Sequence, residues 1–278
     1  MEDAFAYCAQ LVRTADRDRF IASLFAPAER RGALHAVYAF NSEVSRVRDV
    51  AHGALPGEIR LQWWSEVIGG ERREEARANP VAAALLDTLA RHELAPVRLL
   101  DLVEAHRFDL YDEPMADLAA FETYAKRTSS ALFALAAQIL AANDLAAVTT
   151  PAGIAYAVAD ILRALRQHAA HGQLYLPKEL LDRHQVQPND VFAGRSTPAL
   201  RSAVAELCGL ADRELRAAGE FIAALPPAAI PALLPVALVR PALGRLQRSD
   251  PFNPGEIPPW RRQWLIWRAA QNPARIAG

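Results

Sequence analysis

Tyr38-Ala39-Phe40-Asn41-Ser42-Glu43-Val44-Ser45-Arg46-Val47-Arg48-Asp49 is the stretch that decides the fold, read together with Asp160-Ile161-Leu162-Arg163-Ala164-Leu165-Arg166-Gln167-His168. Around the first, Leu34, Val37, Tyr38, Val44 and Val47 recur at roughly i, i+3, i+4 spacing, which predicts a helix over 28–49. The second predicts a helix over 153–168 that runs on into Gly172-Gln173-Leu174-Tyr175-Leu176-Pro177. Positions 45 and 49, like 164 and 168, are one helical turn apart, where two side chains share a face.

Working outward, the helical pattern holds nearly everywhere. Val81, Leu85, Leu86 and Leu89 repeat it over 80–92, and Asp117 opens an apolar helix through Phe133 to Leu140. Pro151 and Gly153 punctuate the approach to the 153–168 helix, with the proline expected near the first helical position, where it is tolerated. Pro226, Pro227, Pro231, Pro235 and Pro241 interrupt an apolar segment and predict a broken or bent helix. Residues 249–259 read as a loop before a short Trp/Arg helix. Sustained Val/Ile alternation and fixed-period repeats are both missing. The expectation is one all-α domain over residues 1–278.

Composition narrows the function. The formal net charge of -1 over 278 residues argues against a nucleic-acid binder. The basic residues are arginine except for Lys126 and Lys178, in a chain rich in alanine; that points to a GC-rich coding genome rather than to anion binding. Cys8 and Cys208 lie far apart and form no CxxC, so neither a disulfide framework nor a thiolate metal site is expected, and a reducing cytoplasm fits. The acidic Met1-Glu2-Asp3 start does not resemble a signal peptide. No uncharged apolar run reaches the roughly 20 residues of a membrane span, so any membrane contact is expected to be peripheral.

The two opening stretches carry a resemblance. The first resembles the Y-x-x-C-R-x-x-D-D-x-x-D segment of squalene and phytoene synthases. The second resembles their N-I-L-R-D-x-x-x-D…G-R-x-Y-L-P segment. Arg31, Tyr38 and Asp49 match the first; Arg163, Gly172, Tyr175, Leu176 and Pro177 match the second. The resemblance implies an isoprenoid-synthase-type helical bundle with a central cavity, where paired carboxylates hold Mg²⁺ against a diphosphate. The departures fall on those carboxylates. Ser45 and Arg46 stand where two aspartates belong, Ser42 replaces an arginine, Asp160 replaces an asparagine, and Ala164 and His168 replace the other two aspartates. Arg46 and Arg48 add positive charge beside Asp49.

Leu24-Phe25-Ala26-Pro27-Ala28-Glu29-Arg30-Arg31, Ala39-Phe40-Asn41-Ser42-Glu43-Val44, Leu61-Gln62-Trp63-Trp64 and Leu162-Arg163-Ala164 resemble an aspartate-depleted branch of that family, mitochondrial complex I assembly factor 6 and its bacterial relatives. This resemblance implies a non-catalytic role in building the membrane arm of respiratory NADH:ubiquinone oxidoreductase.

Three functions follow as expectations. The leading one is a non-catalytic complex I assembly or lipid-handling factor, cytoplasmic or peripheral to the inner membrane, with no cofactor and no nucleic-acid partner. The second is an active head-to-head prenyltransferase, with Mg²⁺ on Asp49 and on Glu43 or Asp160. The third is a protein that holds an anionic lipid or prenyl phosphate, with Arg31, Arg46, Arg163 and Arg166 as counter-charge. The ligand-binding candidates are therefore Arg31, Tyr38, Arg163 and Tyr175, and the altered motif positions are Ser45, Asp49, Ala164 and His168. Each has a plainer reading: Asp49 as a surface acid, the arginines as solvated, and the tyrosines as half-buried structural residues. His168 and His171 at i, i+3 are read as solvated or capping rather than metal-binding. Trp63 and Trp64 are read as core, with one ring partly exposed. Trp260, Trp264 and Trp267 share one helix face, read as capping the core, with a seat in a membrane interface as the alternative.

Overall fold

The computed structural model describes residues 1–51, 53–143 and 145–278. Its N-terminal part runs α1 (Glu2–Ala15), α2 (Arg17–Ser23), α3 (Ala28–Ser45), α4 (Val47–Ala51), α5 (Ala54–Gly69), α6 (Arg73–Ala78), α7 (Pro80–Arg91) and α8 (Pro96–Ala105). A 3₁₀ turn at Phe108–Leu110 leads to α9 (Leu118–Ala125), a π turn at Lys126–Ser130, α10 (Ala131–Ala141), α11 (Ala146–Arg163) and α12 (Leu165–Ala170). The chain ends with α13 (Lys178–Arg183), α14 (Pro188–Phe192), α15 (Pro198–Ile222), α16 (Ile230–Leu233), α17 (Val239–Leu246) and α18 (Pro259–Gln271). Among the described residues the only β pairing is an isolated Asp250–Asn253 bridge. The all-α expectation holds.

Local chemistry sets the helix starts. Asn79 Oδ1 accepts from the Val81 and Ala82 amides at 2.9 and 3.0 Å, with Pro80 at the first helical position of α7. Asp117 caps α9 through the Ala120 amide at 2.8 Å, and Thr197 caps α15 through Leu200 at 3.1 Å. Each cap satisfies an amide that has no partner inside its own helix. The buried apolar residues form two main clusters. One centres on α11 and α15, the other on α1, α3, α5, α7 and α10.

Four features depart from the sequence reading. The helix expected over 28–49 stops at Ser45 and restarts at Val47; the one expected to 168 stops at Arg163 and restarts at Leu165. Arg46 (φ -102°, ψ 13°) and Ala164 (φ -89°, ψ 5°) leave the helical region, and no Gly or Pro announces either break. Pro151 lies inside α11 rather than at its start. The helix expected from Asp117 to Leu140 contains the π turn, a device frequent at functional sites. Finally, Trp260, Trp264 and Trp267 do not cap the core: they are 69%, 44% and 51% exposed, while Ile266 and Ala269 face inward. Trp64 is core and Trp63 is partly exposed, as expected.

The proline-rich segment is broken as expected into 3₁₀ and α pieces. Pro227–Leu246 is long and apolar enough to cross a bilayer by composition, more so than the sequence reading allowed, yet 61% of its apolar window is buried in the bundle. That burial is what a core segment requires.

α11 crosses the π turn at one very close point. A Cβ built on Gly153 would lie 2.3 Å from the Ser130 Cα, a backbone atom that cannot swing away. Alanine gains about 1 kcal/mol of helix propensity over glycine, but overpacking costs about 3 kcal/mol. Gly153→Ala is therefore expected to lower stability by about 2 kcal/mol net, read from the urea unfolding midpoint; an unchanged or higher midpoint would refute the close contact.

Candidate functional site: a charged cavity in the bundle

A cavity of about 1060 Å³ opens where α1–α4, α9–α12 and the 252–262 segment meet. Ser45, Asp49, Ala164 and His168 all line it, with Arg46, Asp160, Arg163, Arg166 and Tyr175. Two segments distant in sequence thus bring the four altered motif positions to one void. Both helix breaks, at Arg46 and Ala164, are on its wall. Positions 45 and 49 consequently belong to different helices, while Ala164 sits in the second break itself and His168 on the helix that follows it.

Other expected site residues lie elsewhere. Arg31 does not line the cavity: its Nε and Nη2 donate to the Ala26 and Leu24 carbonyls at 2.9 Å each, holding the α2–α3 turn. The counter-charge expected of Arg31 is therefore corrected. Tyr38 and Tyr175 are fully rather than half buried. Tyr38 packs behind the wall under Arg19, whose guanidinium carbon is 5.8 Å from its ring centre. Glu43 also lies off the cavity, 3.7 Å from Arg60, and burial pushes its carboxyl above the usual range.

The organising group on the wall was not singled out in the sequence. Asp109, 3% exposed, accepts the Tyr124 and Tyr175 hydroxyls on Oδ1, each at 2.9 Å, and faces His106 Nδ1 on Oδ2 at 2.6 Å. Its backbone carbonyl accepts from Gln173 Nε2 and Arg48 Nη1 at 3.1 Å each. Arg48 also donates to the Tyr111 and His171 carbonyls and to Asp112, pinning α4 to two loops. Burial, then the Asp109 charge, raises the Tyr124 and Tyr175 phenols far above their usual range, so both stay neutral donors. His168 lies against Tyr175 with ring centres 4.5 Å apart, and burial pushes its imidazole pKa down. The one available signal was His106-Arg107-Phe108-Asp109, a histidine and an acid three apart in an otherwise apolar stretch.

Arg19 is the second residue missed. Asp16 caps α2 through the Arg19 amide at 3.1 Å and binds its guanidinium at 2.5 Å. The Tyr156 and Phe133 rings approach within 4.8 and 5.4 Å. In the sequence, Asp16-Arg17-Asp18-Arg19 alternates acid and base, a pattern that does not say which charges are buried. Nearby, Asp18 takes Arg262 through two hydrogen bonds, tying α18 to α2, and Arg163 pairs with Asp160 at 2.5 Å. In all, six arginines (17, 19, 46, 163, 166, 262) and six acids (16, 18, 49, 109, 160, 256) line the cavity.

The squalene/phytoene synthase family model matches residues 12–268. This chain belongs to the squalene/phytoene synthase family. The rat protein "NADH dehydrogenase (ubiquinone) complex I, assembly factor 6" is 28% identical over 250 residues, covering 89% of this chain and 75% of the relative. A phytoene synthase of Mycobacterium tuberculosis is 27% identical over 185 residues, covering 66% and 60%. A crystal structure of a dehydrosqualene synthase with a ligand superposes with a TM-score of 0.83 at 16% identity, covering 97% of this chain and 96% of that one. The fold of this squalene/phytoene synthase relative is thereby fixed.

Mg²⁺, which the family resemblance implied, has no evident place on this wall. Among the described residues no three His, Cys, Asp or Glu side chains gather in a way that could hold a metal. Asp49 faces His171 at 4.0 Å, Asp160 is held by Arg163, and Asp109 is surrounded by its three donors. These residues do not fit a two-helix carboxylate clamp.

Asp109→Ala would strand three buried donors at once. Each stranded group costs about 1–3 kcal/mol, so a loss of about 3 kcal/mol or more is expected in chemical denaturation, against about 1 kcal/mol for Tyr175→Phe. Equal effects of the two variants would contradict the hub.

Proposed function

We propose that this protein is a non-catalytic member of the family that supports assembly of respiratory complex I, working peripherally at the inner membrane. The observation that carries this reading is the cavity wall: it has Ser45, Arg46, Ala164 and His168 where the enzyme segments have aspartates, and, among the described residues, no cluster that could hold a metal. Without a clamp on the leaving group, prenyl transfer loses several kcal/mol of transition-state stabilisation, hence orders of magnitude in rate. The assembly role is supported by relatives that carry that name, such as the rat protein, and its target on this reading is a membrane-arm subunit. Membrane contact is supported by the exposed Trp260, Trp264 and Trp267, with Arg268 only 4.3 Å above the Trp264 ring. Amphipathic rings flanked by arginines suit an anionic headgroup layer.

Deleting the gene should lower assembled NADH:ubiquinone oxidoreductase on native gels, and a copy carrying Asp49→Ala should restore it. Purified protein with farnesyl diphosphate and Mg²⁺ should release no pyrophosphate. Normal assembly in the deletion strain would remove the assembly role, and pyrophosphate release would remove the non-catalytic one. In vesicle sedimentation, wild type should pellet with anionic bilayers and the Trp260→Ser/Trp264→Ser/Trp267→Ser variant should stay in solution; equal partitioning would exclude α18 as the contact.

A further inference from the structure

His106 carries a hydrogen-bonding atom that the fold does not use. Its Nδ1 lies 2.6 Å from Asp109 Oδ2. An ionised carboxylate only accepts, so Nδ1 carries the proton of this contact, and the tautomer that the contact selects has its lone pair on Nε2. His106 is 5% exposed and lines the cavity, and its Nε2 is buried without a hydrogen-bond partner. Buried polar atoms are nearly always partnered. Here Asp109, Tyr124 and Tyr175 are all satisfied, whereas His106 Nε2, like Arg19 Nε and His168 Nδ1 on the same wall, is left without a partner.

Charge bears on the class of ligand. Six guanidiniums and six carboxyl groups line the same cavity, so its lining is formally neutral, and three of the arginines are paired within it, Arg19 with Asp16, Arg163 with Asp160 and Arg262 with Asp18. A lining without net positive charge favours a neutral ligand over a diphosphate. Ile21, Leu132, Ile161 and Ile257 add apolar surface to the same lining, and the volume is at the upper end of the roughly 300–1,000 Å³ of ligand pockets.

We propose that the cavity binds a neutral, hydroxyl-bearing apolar molecule of the long-chain alcohol class, whose O–H donates to His106 Nε2. Asp109 acts as a positioning residue that fixes the ring. The inference rests on the reading of the cavity as non-catalytic.

The test is calorimetric titration of the full chain with dodecan-1-ol, dodecyl methyl ether and dodecyl phosphate. The alcohol and the ether have matched apolar tails, but only the alcohol has a donor. One hydrogen bond to a buried acceptor should favour the alcohol by about tenfold, and the phosphate should bind no tighter than the alcohol. His106→Phe should still bind both neutral probes, now with equal affinity. The proposal is overturned if wild type binds ether and alcohol alike, if it prefers the phosphate, or if it binds no alcohol. These arms need no variant, so they decide the matter even if His106→Phe misfolds. Pyrophosphate release from farnesyl diphosphate with Mg²⁺ would instead overturn the non-catalytic reading, while the alcohol-to-ether ratio would still judge the subsite.

Discussion

One buried carboxylate holds the cavity wall together. Asp109 gathers the hydroxyls of Tyr124 and Tyr175 and the His106 ring, which belong to α9, to the segment after α12 and to the end of α8. Burying a charge is costly unless its lone pairs are satisfied. Three donors within 2.9 Å meet that demand. The same requirement makes the arrangement stiff, because moving any one donor leaves a charge exposed to a low-dielectric interior. Arg48 extends the network through the Asp109 carbonyl to α4, so the helix that carries Asp49 is located by the same hub.

Pairing governs the rest of the wall. Arg19 with Asp16 and Arg262 with Asp18 turn what would be isolated buried charges into compact ion pairs. The second pair also closes the chain on itself, joining α18 to α2 across 244 residues of sequence. A cavity that mixes arginines and acids in equal number, several of them paired, differs in kind from one that concentrates carboxylates for metal. The first presents fixed dipoles and local polarity, the second a strong field that only a cation can offset.

Much of this was legible beforehand. The periodicity of Leu34, Val37, Tyr38 and Val44 marks a buried helical face because only an apolar stripe can be taken out of water at low cost. The motif frame placed Ser45, Asp49, Ala164, His168 and Tyr175 on one site, and the fold gathers them there. Arg31 and Tyr38 lie off the cavity because a family pattern specifies a position on a helix, not what the side chain meets there: Arg31 is taken by the Ala26 and Leu24 carbonyls and Tyr38 is covered by Arg19. Arg19 and Asp109 were invisible for a different reason. A charged residue reads as solvated until the partner that neutralises it is known, and the partners of Asp109 come from 15 and 66 positions along the chain. The outward turn of Trp260, Trp264 and Trp267 was likewise decided by how α18 docks: the amphipathic pattern allowed either face to be buried, and Ile266 with Ala269 won.

The sequence by itself determined the all-α class, the opening of a helix at Asp117, and the chemical identity of the altered motif positions, because these depend on local spacing and residue type. Only the tertiary structure decided the breaks at Arg46 and Ala164, the π turn opposite Gly153, and the hydrogen-bonded hub at Asp109. Each of those is set by contacts between segments far apart in the chain, where the demand to satisfy buried polar groups outweighs the weak conformational preference of any single residue.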